Sequence, residues 1–222
     1  MQLALRVSLF LIMLTSIGCT TVRVDQLRNT DSSIDRLTDH VVILGRNESA
    51  EFETEPELIT CIGDRISRGS QGINVVPPQQ FIDDLYPWFE PRTAPLQPER
   101  LRTFLQEPLI QEKIESHDIR YFIWISGDTD TIDSSGSLSC GITAGAAGCF
   151  GFSSWEQQGV YEATIWDFDD LQEAGRISTD AQGTSYLPAI VIPIPLLARV
   201  QANACESMGE QIQQFFVSEQ AG

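Results

Sequence analysis

Apolar positions recur along this chain in two periods. Leu58, Ile59, Ile62 and Ile66 fall at helical spacing up to Gly69. Thr54 as N-cap, with Glu57 three residues on, marks the start of that first predicted helix. Phe81, Ile82 and Leu85 predict a short second helix. Pro98 opens a third through Leu101, Phe104 and Leu105, and Pro108 restarts it with Leu109, Ile110 and Ile114. Residues 198–217 predict a closing helix with the seam Val200, Ala204, Met208, Ile212 and Phe216. Strand patterns lie between these helices, at residues 40–44, 73–76 and, strongest, 119–125. The last is nearly continuous in apolar character, so it is expected at the centre of a sheet, covered on both faces.

After residue 125 the pattern turns β-rich. A weak strand over 137–143, a short return at 151–153 and a strand over 160–168 lead to a turn at 169–173. In the following stretch, 175–183, Ile177, Thr179 and Ala181 alternate with Arg176, Ser178 and Asp180. Residues 187–197 are apolar but broken by Pro188, Pro193 and Pro195. The order β-α-β-α-α-β, then hairpins, then a helix predicts an α/β fold. It is a single layered domain over 40–222, with a mixed sheet, parallel early and antiparallel late, and a closing C-terminal helix. Residues 19–39 show no sustained apolar period and read as a polar tether.

The first eighteen residues read as an export signal: Arg6, then an apolar run containing Leu9, Phe10, Leu11, Ile12 and Met13, then Ser16, Ile17 and Gly18. The run is too short to span a bilayer. Cys19 directly after Gly18 resembles the lipobox of bacterial lipoproteins, whose cysteine is acylated and becomes the mature N-terminus. Ser16 stands where that pattern usually has leucine; the alternative is an ordinary signal peptide with a chance cysteine. Thr20, rather than aspartate, after the cysteine implies outer-membrane sorting, on the periplasmic face. Lipobox, tether and element order together resemble the envelope lipoproteins related to the curli-secretion lipoprotein. They also resemble the penicillin-binding-protein activator lipoproteins and the amino-terminal domain of the Tol-system translocation protein. The resemblance implies a non-catalytic interaction module of the bacterial envelope. It rests on element order, so it transfers no functional positions.

The formal charge is −17, from 14 basic and 31 acidic residues, and Lys113 is the only lysine. Nucleic acid and anionic lipid are therefore poor partners, since both are bound by Lys and Arg. With Cys19 assigned to lipid, four cysteines remain. Cys140 and Cys149 flank a Gly/Ala loop, while Cys61 and Cys205 lie on or beside the apolar faces of two predicted helices. The expected pairing is Cys140–Cys149 and Cys61–Cys205, with buried free thiols as the alternative. No CxxC occurs, so no thioredoxin-like or zinc site is suggested.

Asp128, Asp130 and Asp133 form the best candidate ion site, because closely spaced carboxylates suit calcium. The EF-hand pattern is not met, and a solvated strand end is the plainer reading. Asp167, Asp169, Asp170 and Glu173 sit on a hairpin turn, where carboxylates are ordinarily exposed. Only His40 and His117 are present, and no hydrolase motif accompanies them. No cofactor is expected. Two segments look like contact surfaces. Tyr86, Trp88, Phe89 and Arg92 lie in a Pro-rich loop that serves either a partner or the domain's own core. Ile190, Ile192 and Ile194 lie in the apolar 187–197 segment, which is either buried under the last helix or exposed to a partner or lipid. The leading expectation is a lipid-anchored periplasmic binding or assembly module, not an enzyme, with an envelope protein as partner. The alternatives are a metal-dependent hydrolase using the Asp cluster and an oligomeric secretion-type lipoprotein.

Overall fold

A computed structural model of the chain describes residues 20–46, 54–68, 71–88, 100, 103–104, 106–143, 146–193 and 195–217. The strands are β1 (Thr20–Arg28), β2 (His40–Gly45), β3 (Asn74–Val76), β4 (Ile119–Thr143), β5 (Ala146–Asp167) and β6 (Gln172–Pro193). The helices with defined bounds are α1 (Pro56–Ser67), α2 (Pro78–Asp84), α3 (Pro108–Ser116) and α4 (Val200–Val217). The strands form one mixed sheet in the order β1-β6-β5-β4-β2-β3. β2 pairs in parallel with β3 and with β4, while β4, β5 and β6 follow one another as hairpins. The fold is therefore the expected α/β class.

The chain divides into two compact units. One comprises residues 1–22, 129–159 and 181–203, the other 23–128, 160–180 and 204–222. The second unit carries the layered core. Period two along β2 sends Val42 and Leu44 to one face and Val41 and Ile43 to the other. The first face meets Phe81, Leu85, Ile110, Ile114, Phe122, Trp124, Trp166 and Phe168 in one cluster, which places α2 and α3 there. α1 and α4 supply buried Leu58, Ile62, Ile66, Met208, Ile212 and Phe216. The Tyr121 ring packs 4.7 Å from that of Phe216, and its hydroxyl donates to the Ser33 carbonyl at 2.8 Å. Truncating a core isoleucine such as Ile62 to alanine costs about 2–5 kcal/mol at sites of this kind.

Cys61 on α1 and Cys205 on α4 are disulfide-bonded, as are Cys140 and Cys149 in the first unit. Thr54 does not cap α1. Glu55 holds the N-cap position without a side-chain capping bond, its carboxylate accepting instead from the Tyr161 hydroxyl at 3.0 Å, and the Thr54 hydroxyl donates to the Ile125 carbonyl at 3.2 Å. Part of the helix expected from Pro98 lies outside the described residues.

Three expectations are corrected. The tether over 19–39 is not a tether from Thr20 on, because residues 20–28 form edge strand β1. Val22 and Val24 are half-buried and alternate with exposed Thr21, Arg23 and Asp25, so period two outweighs the polar composition. The folded region consequently starts before residue 40. The weak strands over 137–143 and 151–153 are the ends of long strands, β4 with 25 residues and β5 with 22.

Candidate interaction surface

In the first unit, the far ends of β4, β5 and β6 form a ribbon. Residues 134–155 and 181–198 contain no charged side chain, although 20% of the chain is charged. These forty residues would carry about eight charges at the chain's own density. Serines and glycines take their place, interrupted by large apolar residues. Ile142 is 89% exposed, Phe150 73%, Ile190 79% and Ile192 71%. The Phe152 ring lies 6.0 Å from the Tyr186 ring, which puts both on one face. Period two then carries Ile190 and Ile192 to the face of Tyr186. Among its described residues the 187–197 segment is thus largely an exposed strand end, not an element buried beneath α4, with Ala189 buried.

Glycine holds the ribbon together at two places where any side chain would collide. Gly136 has φ 96° and Gly151 φ 144°. A β-carbon on Gly136 would lie 2.2 Å from the Phe152 carbonyl oxygen, and one on Gly151 2.2 Å from that of Ser137. Ser135 and Ser154 share a hydroxyl hydrogen bond of 3.0 Å across the same pair of strands. The Cys140–Cys149 bond staples the tip. Among the described residues, β4 also presents an open edge over residues 134–143. Its pairing with β2 covers only Ile119–Ile125, and among the described residues no strand continues that pairing beside residues 129–143.

The second unit holds the other polar feature, a cleft of about 570 Å³ whose wall includes Asp39, Glu115, Asp118, Arg120 and Asp169. Asp167 lies beside it, at the end of β5. It is 3% exposed, which turn carboxylates seldom are, and this corrects the expectation for that turn. Its Oδ1 accepts from the backbone N–H groups of Asp169 at 2.9 Å and Asp170 at 3.3 Å. Its Oδ2 accepts from Arg120 at 2.8 Å, and Arg120 also pairs with Asp169. Burial pushes the Asp167 carboxyl above the usual aspartate range, against the backbone bond from Asp170 and the Arg120 charge. The arrangement pins the β5–β6 turn to the start of β4. Both of its oxygens serve that purpose, so it reads as structural.

The remaining predicted positions are scattered. Asp128, Asp130 and Asp133 lie along continuous β4, where period two sends Asp133 to the face opposite Asp130. Among the described residues, no three His, Cys, Asp or Glu side chains come together to hold a metal ion, so the expected Asp cluster does not form. Trp88 packs against the second unit's core, whereas Tyr86 is exposed. Cys19, Phe89, Arg92 and Ile194 lie outside the described residues. Sequence reasoning missed the charge-free stretches themselves, although a tally of charge along the chain carries the signal.

No protein-family model matches the chain, and no curated protein does. Among solved structures, a PelC dodecamer from Paraburkholderia phytofirmans aligns over 89% of this chain and 97% of its own, at 11% identity and a TM-score of 0.37. A variant PelC dodecamer from the same organism aligns over 89% and 98%, at 10% identity and the same TM-score. A superposition this loose transfers nothing about function.

Proposed function

We propose that this protein is a lipid-anchored periplasmic module that assembles with an envelope protein by strand addition to β4. One observation carries the proposal: the open edge over residues 134–143 is free of charge. An unpaired strand edge presents backbone N–H and C=O groups ready to pair with another chain. Proteins that must avoid such pairing guard the edge with charge. Asp130 and Asp133 guard the near part of this edge, and the far part over residues 134–143 carries no charge. The lipobox-like Gly18-Cys19 supports the anchor, and Thr20 after it supports the outer membrane. A second copy of the chain is the other occupant that an open edge accepts, which would make the protein an oligomeric envelope lipoprotein.

The test is photocrosslinking in cells from benzoylphenylalanine placed at Ser137 and at Ser139 of the full-length chain. A recurrent adduct with one envelope protein is the expected result. Adducts only between copies select the oligomeric form, and an absence of protein adducts at both positions sinks the reading.

A further inference from the structure

We infer that the β5–β6 face of the ribbon, carrying Phe152, Tyr186, Ile190 and Ile192, rests on the surface of a lipid bilayer. The inference builds on the lipid-anchor reading for how the membrane is brought near, and it assigns this face separately from the β4 edge.

The first argument is charge. Protein partners normally meet a core ringed by polar and charged residues, with Arg enriched. Here neither the face nor its rim holds a charge over residues 134–155 and 181–198. The rim offers hydroxyls instead, from Ser135, Ser137, Ser139, Ser154 and Thr184. Apolar residues inside a hydroxyl fringe suit the boundary between acyl chains and headgroups. Tyr186 is of the amphipathic type that concentrates there.

The second argument is position. The Thr21 hydroxyl donates to the Gln182 carbonyl on β6 at 3.4 Å, and a β-carbon on Gly183 would lie 3.0 Å from the Thr20 hydroxyl. Thr20 is the residue after Cys19. Acyl chains on Cys19 would therefore be attached beside the point from which β6 runs on through Tyr186 to Ile192. Ile190 is seven residues past Gly183, roughly 23 Å along an extended strand. An anchor at one end of this face and exposed isoleucines at the other suit a ribbon lying along the membrane.

The third argument limits the depth. An open-edged ribbon cannot cross the hydrocarbon core, because its unpaired backbone groups would find no partners there. The face therefore dips into the interface, with the β4 edge left in water. Since a chain of charge −17 gains nothing from anionic headgroups, contact is apolar and needs no anionic lipid.

The experiment places benzoylphenylalanine at Phe152 and at Ile190 of the full-length protein, with Leu109 on the exposed surface of α3 as control. Adduct masses are read after irradiation in cells. Phospholipid adducts at both ribbon positions, at least tenfold above Leu109, are expected. Adducts with a second copy or another protein instead, or lipid yields no higher than at Leu109, overturn the inference. Repeated with protein reconstituted in phosphatidylcholine vesicles, with and without phosphatidylglycerol, the yield should not change. A requirement for the anionic lipid also overturns it. Palmitate labelling of Cys19 is scored separately. Labelling without ribbon adducts defeats this inference and spares the anchor, whereas ribbon adducts without labelling defeat the anchor and spare the contact.

Discussion

Gly209 on α4 sits directly against Arg65 on α1: a β-carbon there would lie 2.6 Å from Arg65 Cγ and 2.9 Å from its Cβ. One turn earlier on each helix, Cys205 is bonded to Cys61. One turn later, the Gln213 amide donates to the Ile66 carbonyl at 2.9 Å and covers the C-terminus of α1. The two helices thus run side by side in the same direction, at a separation set by the missing side chain.

Gly209→Ala should destabilise the protein. In an open helix the change gains about 1 kcal/mol. Here overpacking against a root atom of Arg65 costs about 1–3 kcal/mol. A lower urea midpoint is expected; a higher one would mean that α4 steps away freely.

The two disulfides should differ in worth. Cys61 and Cys205 are 144 residues apart in sequence, Cys140 and Cys149 only 9. Chain entropy makes the first worth up to about 5 kcal/mol and the second about 2–3 kcal/mol. Paired alanine substitutions, followed by urea unfolding, should give losses in that order. Equal losses would refute the entropic ranking.

Gly136→Ala should loosen the ribbon. The φ of 96° and the Phe152 carbonyl both oppose a β-carbon. Amide exchange across residues 150–156 is expected to rise at least tenfold, about 1.4 kcal/mol. Unchanged exchange would show that the strand pairing tolerates the side chain.

Asp167 gives a pH signature. Its carboxyl is raised in the folded protein by burial, so the folded state holds this proton more tightly than the unfolded state does. The group's contribution is full below about pH 4, the ordinary aspartate value, and is lost as pH rises through the elevated folded value. The stability difference between wild type and Asp167→Asn should therefore shift against the wild type between acid and neutral pH. Urea titrations across that range test it, and the opposite trend would contradict the assigned direction.

The strands β2, β3 and the start of β4, the helices α1, α2 and α3, and the last helix were legible because each carries an apolar pattern that burial enforces. Val41–Leu44 and the seam from Val200 to Phe216 are buried as that period requires. The pairing of Cys61, beside the apolar face of α1, with Cys205, on that of α4, was legible for the same reason. β1 was hidden because Arg23 and Asp25 dilute the alternation of Val22 and Val24. The long strands were hidden because Gly136 and Gly151 look like turn residues, whereas here they let two backbones approach. The buried state of Asp167 depends on Arg120, 47 residues away, and no local pattern encodes such a partner. The interaction surface was half visible: the isoleucines stood out, but their exposure did not.

β4 is an unbroken strand of 25 residues, and its first seven residues pair in parallel with β2. A pull along β4 at residues 119–125 would run parallel to the strand it pairs with. The β2–β4 hydrogen bonds would then bear the load together, in shear, instead of opening one by one. Parallel pairing thus makes the start of β4 a mechanical clamp, held by many bonds at once rather than by any single one.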